Sequence, residues 1–550
     1  MPASAPQTAV SPHLCTTCHQ DVPANHAACP WCGTLNPYHT LPGSLPAWFQ
    51  QPRVPIRAVY QSQLPISESP YLALGGGLGS FAWVNHLRIY GVPADKITII
   101  GHHTTPYARF RQLCRHSQIS DNDRIRSDSS SRPDNLWGWP GYGLQEVGDN
   151  LRQGQWRDAI RIGWQLLSEP VLADTYAPRA DTVYRSLERE MARIGWSSMV
   201  RPGEVCAVRQ TDNGRYLIAY LPKNNSYALH FHLTTYLHLA LGYTDINLSD
   251  ELQTFRHQSG NLRSVVQAYE PHEHIYRQLA RRGGLVLLRG RGIVAARILQ
   301  RLDDIRRTTQ RDIRVIHLLR TPLTHDTYYG LARRQTRHHW QWQPFNWPKA
   351  AFGGDLRQVM AEASPSERQV LLEIWGGTTA GDQQAWQSLI EHGLADGWYQ
   401  LYFGEVADVR ENGRFRLTTT LHDYDPPHAP HHFAADFMID CTGLHAHLTG
   451  HPLLIELQRL YHLPQNPSGN LATTHQFELK GLRNGEAQAF IAGIPAYGND
   501  FAPVDSFLGL QYAARCAIER LLADNAPYLH PLTGLDSLRQ WWHWWHNQEP

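Results

Sequence analysis

Two glycine clusters, about two hundred residues apart, are the residues in this sequence best suited to chemistry. Gly75-Gly76-Gly77-Leu78-Gly79-Ser80 follows an apolar run at residues 71–74, and Arg289-Gly290-Arg291-Gly292 follows one at 284–288. Each reads as a buried strand, a tight turn and a helix. Such a turn aims unpaired N–H groups at an anion and lets the backbone approach it closely, which is how a chain holds the pyrophosphate of a dinucleotide. One such site binds a cofactor. Two in one chain point to electrons passing between two cofactors.

The first cluster fits the pattern in two registers. Gly75, Gly77 and Ser80 are one; Gly77, Gly79 and Ala82 are the other. The following strand, residues 95–101, ends in Gly101-His102-His103 where an acid would hold an adenosine ribose. The ribose is then left to His102 or to a backbone group. In the second cluster Gly290, Gly292 and Ala295 fit G-x-G-x-x-A, and the next strand, 312–320, ends in Arg320. A base there meets the 2′-phosphate of NADP, so Arg320 with Arg289 and Arg291 favours NADPH over NADH.

Other residues could serve these sites. Residues 106–143 carry many arginines and Trp137-Gly138-Trp139. Either this stretch lines a cofactor or substrate cavity, with Trp137 against a ring, or it is a surface loop whose tryptophans fold into the core. Near the C-terminus, Asp500 and Asp505 precede a helix and could accept a hydroxyl from a ribityl chain. Cys441 reads as packing. Cys15, Cys18, Cys29 and Cys32 form two C-x-x-C knuckles ten residues apart, a spacing that suits one tetrahedral Zn²⁺ with no open position. A redox pair at Cys29 and Cys32 is the competing reading.

The elements that must position these residues need more than one domain, since the chain has 550 residues. A net charge near +1 gives no electrostatic case for a nucleic-acid partner. No secretory signal and no membrane-spanning run is evident, and eight cysteines without a disulfide spacing fit a reducing cytoplasm. The expected fold is α/β, with two Rossmann-like dinucleotide-binding domains, the second inserted in the first, after a small zinc ribbon. The expected segments are a zinc ribbon at 1–34, a proline-rich linker at 35–67 and a first domain at 68–280. The inserted domain follows at 281–425, then a return segment at 426–530 and a Trp/His-rich tail at 531–550. No internal repeat is evident beyond the glycine turns.

Several segments together resemble the flavoproteins with two dinucleotide-binding domains, and among them the class B flavin monooxygenases. They are ALGGGLGSFAW, YLHLALGYTD with Gly242, YEPHEHIYRQLARRGGLVLLRGRGIVAARI, IDCTG and IAGIPAYGND with LGLQYAA. The resemblance spans roughly residues 68–525. It implies FAD at the first turn, reduced by NADPH at the second, and in monooxygenase members transfer of one oxygen atom to a small substrate. Two departures stand out: the missing acid after the first site, and His272-Glu273-His274 where the family has a histidine-serine pair. His272 and His274 are the candidate catalytic residues, placed to steady a reduced flavin or a nicotinamide amide; the competing reading is surface or core histidines. The alternatives are an NAD(P)H-dependent flavin reductase that inserts no oxygen, and a flavin-bearing redox-sensing interaction protein. Expected partners are NADPH, a small-molecule substrate or electron acceptor, and a protein docked through the zinc ribbon.

Overall fold

Each glycine turn sits at the end of a strand buried in a parallel sheet. In the computed structural model the described residues are 13–14, 21–22 and 45–550. The exceptions are 126, 128, 131–135, 169–175, 224–228, 244–247, 330–331, 344–354, 376–379, 382–383, 414–416, 425–428, 445–447 and 449–450. Among them, strands Gln488–Ile491, Tyr236–Leu239, Tyr71–Leu74, Ile97–Gly101 and Val200–Thr211 lie side by side and parallel. Strands Val265–Gln267, Phe437–Asp440, Gly284–Arg289, Ile313–Leu319 and Tyr399–Glu411 form a second parallel set. Their apolar runs are buried, as strands covered by helices on both faces must be.

The chain runs from the first sheet into the second and back, which makes the fold mixed α/β with the second unit inserted in the first. The pairing moves the inserted unit's edges outward from the expected 281–425. Val265–Gln267 is its edge strand, and Phe437–Asp440 is its inner return strand rather than part of the first unit. Among the strands of the described residues, Gln488–Ile491 is the one that comes back to the first sheet.

The two units repeat one plan in detail, so the expectation of no further repeat is corrected. In each, the third parallel strand is long and turns into an antiparallel meander. Gly203-Glu204-Val205 and Gly404-Glu405-Val406 occupy the same place there, each followed by a register shift, at Val205/Ala207 and Val406/Asp408. Gly101 pairs with Pro202 and Leu319 with Phe403, so His102 and Arg320 are equivalent. The match eluded a reading of the sequence because only a short G-E-V run and scattered apolar positions are shared.

Between its second and third strands each unit carries a long arm. The first arm includes helices Ala108–His116 and Ala180–Ile194; the second includes Asp355–Glu362 and Pro365–Trp375. Each arm reaches the opposite unit. Asp123 meets Arg297 at 3.3 Å, and His116 bonds the Tyr269 carbonyl at 2.6 Å. In return Arg368 pairs with Asp500, and Arg357 donates to the Tyr512 hydroxyl at 3.2 Å.

The C-terminal helix Gly534–Trp545 is capped by Thr533, whose hydroxyl accepts from the Asp536 N–H. At its other end Arg189 donates to the carbonyls of Trp544 and Trp545, as a cation at a helix C-terminus should. At the N-terminus His13–Leu14 pairs antiparallel with Asp21–Val22. Cys15, Cys18, Cys29 and Cys32 themselves lie outside the described residues. No helix among the described residues is long and apolar enough to cross a membrane.

Candidate functional site

Both glycine turns open into one cavity of about 1270 Å³ between the units. That is more than the roughly 300–1,000 Å³ of an ordinary small-ligand pocket. The turns are built alike. Gly75 has φ +99° and Gly290 φ +100°, and a Cβ there would lie 2.3 Å from the Ala240 carbonyl oxygen and 2.6 Å from that of Cys441. Only glycine lets the strand end bend this tightly against its returning neighbour. The helices then begin at Leu78 and Ile293, with Gly77 and Gly292 as N-caps that offer no side-chain cap. Their first N–H groups are free to meet an anion. A Cβ on Gly77 would meet nothing within 4 Å.

This selects the register Gly75, Gly77, Ser80 over Gly77, Gly79, Ala82, because Ser80 then matches Ala295. Both are fully buried on the sheet side of their helices. Gly79 lines the cavity at the helix start; its Cβ would touch Ala240 at 3.0 Å and Leu510 at 3.4 Å, so its smallness keeps the helix close.

The charges differ between the two ends. At the second turn Arg289 lies 3.1 Å from Glu251 and 4.0 Å from Asp440. Burial raises the Asp440 carboxyl to about 6, although Arg289 acts against this. Arg291 donates to the Thr321 carbonyl and has no carboxylate within 4 Å among the described residues. Its Nε is sealed without a partner, and burial lowers the guanidinium to about 10. Arg320 lies on the rim, largely exposed, 3.7 Å from Glu405. At the first turn the equivalent pair is His102 and Glu204, also 3.7 Å apart. Burial raises Glu204 to about 8 and lowers His102 to about 4. The reading of the sequence missed Glu204; the repeated G-E-V run was the signal that could have found it.

Asp505 lines the cavity and accepts from the Tyr243 hydroxyl at 2.6 Å. Helix Phe507–Ala523 follows, capped by Ser506. Other expected residues are elsewhere. Asp500 is held by Arg368 and His475, outside the cavity lining, because the second arm reaches it first. Trp137 donates to Ser537 and packs on Trp544, and Trp139 packs on Trp541 and Trp545. The tail therefore covers these rings, and Trp137 is no cavity wall.

Neither candidate catalytic histidine reaches the cavity. His272 is buried just before helix Glu273–Arg282, with Nδ1 2.7 Å from the Glu270 carbonyl and Nε2 2.9 Å from the Tyr276 hydroxyl. Burial lowers it to about 4, so it is neutral. His274 is half-buried and bonds the Arg263 carbonyl. As placed, both make structural contacts, His272 with Glu270 and Tyr276 and His274 with Arg263, and neither lines the cavity.

Two open helix N-termini facing one cavity can hold two phosphate-bearing ligands side by side, with a cation, Arg291, at one end and a carboxyl group, Glu204, at the other. Among the described residues no cluster of histidine, cysteine or acidic side chains could hold a metal ion. No family model matches the sequence, and no curated protein does. Solved structures do. An ornithine hydroxylase of Pseudomonas aeruginosa is 14% identical, with a TM-score of 0.59 over 84% of this chain and 100% of its own. A cadaverine monooxygenase of Erwinia amylovora, solved with FAD, is 13% identical, with a TM-score of 0.59 over 85% and 96%. An L-lysine 6-monooxygenase of Pseudomonas syringae is 15% identical, with a TM-score of 0.57 over 83% and 99%. At such identities the likeness is one of fold: the chain has the mixed α/β architecture of these structures, built on parallel sheets.

Proposed function

We propose that this chain is an FAD-dependent monooxygenase that takes hydride from NADPH and hydroxylates a small amine. The observation that carries this reading is the single cavity shared by two matching glycine turns. A binding module needs one nucleotide site; two facing each other suit transfer between cofactors. The fit is physical: uncapped helix ends, the open space beside Gly77, the orphaned Nε of Arg291 and the buried carboxyl of Glu204 all await polar partners. The likeness to hydroxylases of ornithine, lysine and cadaverine supports an amine as substrate.

When bound, FAD supplies the hydride acceptor and the centre that reacts with oxygen. The protein's part is placement and exclusion of water. The backbone at Gly75–Gly77 holds the first pyrophosphate and that at Gly290–Gly292 the second. Arg291 and Arg320 receive the 2′-phosphate of NADPH. Asp505, fixed by Tyr243, accepts a hydroxyl at the flavin end. The arms close the cavity from both sides.

The test is a spectrum followed by a product assay. Purified protein should be yellow, should bleach with NADPH under nitrogen, and should yield hydroxylated amine when air and ornithine, lysine or cadaverine are supplied. Absence of flavin refutes the reading. NADPH oxidation that yields only hydrogen peroxide with every amine makes the chain a reductase without oxygen insertion.

A zinc ion on Cys15, Cys18, Cys29 and Cys32 completes the proposal, supported by the knuckle spacing in the sequence. Metal analysis of the full-length chain should find one zinc. Deletion of residues 1–45 should remove it and leave the flavin spectrum intact.

A further inference from the structure

The first unit lacks an acid at the end of its second strand, yet it buries a carboxyl group beside that place. Strand Val200–Thr211 runs parallel to Ile97–Gly101 only as far as Pro202, opposite Gly101. Two residues on, Glu204 lines the same cavity as Gly75 and Gly77. It is 7% exposed, and its Oε2 is sealed from solvent with no hydrogen-bond partner. Oε2 stands 3.7 Å from the His102 ring, the residue that occupies the usual acid's position.

A buried oxygen without a partner is costly unless a ligand completes it. In this kind of fold the adenosine half of the ligand extends from the glycine turn across the ends of the second and third strands. A ribose diol there presents two O–H donors to whatever acceptor faces it. From these observations we propose that Glu204, reaching over from the third strand beside His102, is the acceptor that holds the adenosine ribose of the first dinucleotide. The acid has changed strands while its place in the cavity has stayed. The second unit shows the same register with a different outcome: Glu405 faces Arg320 at 3.7 Å, and both are largely exposed.

This rests on the proposal that the first turn binds FAD, and the experiment separates the two. Wild type and Glu204→Gln, stripped of flavin and shown by circular dichroism to melt alike, are titrated with FAD and with FMN, which lacks the adenosine. Loss of the Glu204 carboxyl group as acceptor for the ribose should weaken FAD by roughly tenfold to a hundredfold and leave FMN unchanged. Wild type should also bind FAD more tightly than an analogue with a 2′-deoxyadenosine ribose, and the variant should not discriminate. FAD affinity equal in wild type and variant overturns the Glu204 assignment alone, as does equal weakening of FAD and FMN, which marks a merely structural role. A wild-type chain that binds no FAD overturns both readings. Should Glu204→Gln fold poorly, Glu204→Asp, which keeps the carboxyl group and shortens the reach, must still weaken FAD selectively over FMN.

Discussion

Glu251 lies 3.1 Å from Arg289 and occupies the cation at the start of the second glycine turn. The three arginines that mark this turn in the sequence are therefore not equivalent. Arg291, which has no such partner, is the one left to meet a phosphate. Replacing Arg291 with alanine should raise the KM for NADPH roughly tenfold or more and leave NADH nearly unchanged. Arg320→Ala should act in the same direction more weakly, because its head is exposed and screened. Arg289→Ala should lower stability without changing the preference. Steady-state kinetics with both donors checks all three.

The two glycines of the first turn should fail in different ways. Gly75→Ala puts a Cβ at φ +99° and 2.3 Å from a carbonyl oxygen, so it should cost on the order of 3 kcal/mol of stability. Gly77→Val adds its side chain to open space and should fold as wild type. It should nevertheless lose bound flavin, since the added carbons fill the place of the pyrophosphate. Thermal melts and flavin content separate the two.

Neither histidine before the second strand should control hydride transfer. His274→Ala should leave the anaerobic rate of reduction by NADPH unchanged. His272→Ala should destabilise the fold by about 1–3 kcal/mol, because it strips partners from the Tyr276 hydroxyl and the Glu270 carbonyl. Protein surviving that loss should still reduce at a near-normal rate, as stopped-flow mixing would show.

Acid should unfold this protein early. His232, His272 and His317 are lowered by burial to about 4, and His238 to about 3. Unfolded, these rings titrate near 6.5. The unfolded state therefore binds more protons between those values. Stability is complete above about 6.5 and is lost as pH falls toward 4. Asp440, raised to about 6, and Glu204, raised to about 8, work in the opposite sense, but they are two groups against six, since burial lowers His102 and His451 to about 4 as well. Melting temperature measured from pH 8 to pH 4 should fall steeply below 6.5.

Removing residues 534–550 should uncover Trp137 and Trp139 and lower the melting temperature. Flavin binding should survive, since no tail residue lines the cavity. Differential scanning calorimetry with a flavin assay tests this.

What the sequence made legible was local. Gly75 and Gly290 announce themselves because a strand end, a positive φ and a helix start lie within a few residues. Arg320 was legible as the last residue of a strand. Most of the failures involve partners distant in the chain. Trp137 finds Ser537 and Trp544, about four hundred residues away. Asp500 is taken by Arg368 from the opposite unit's arm. His272 is consumed one helical turn ahead by Tyr276, a contact that its position before the helix hinted at but did not disclose. Glu204 was hidden because a carboxyl group was expected at the strand end, and pairing, not sequence, brings the third strand there.

The two arms have a mechanical consequence. Asp123 on Arg297 and Arg368 on Asp500 are reciprocal grips, each thrown by one unit onto the other. Two bodies held at a single latch can swing apart like a door; two bodies held by crossed latches cannot. Any rocking of the inserted half against its neighbour must slacken both grips together or turn about the line that joins them. Opening and closing of the cavity between the halves are then tied to a single coordinate, and a charge removed at one grip should be felt in the compliance of the other.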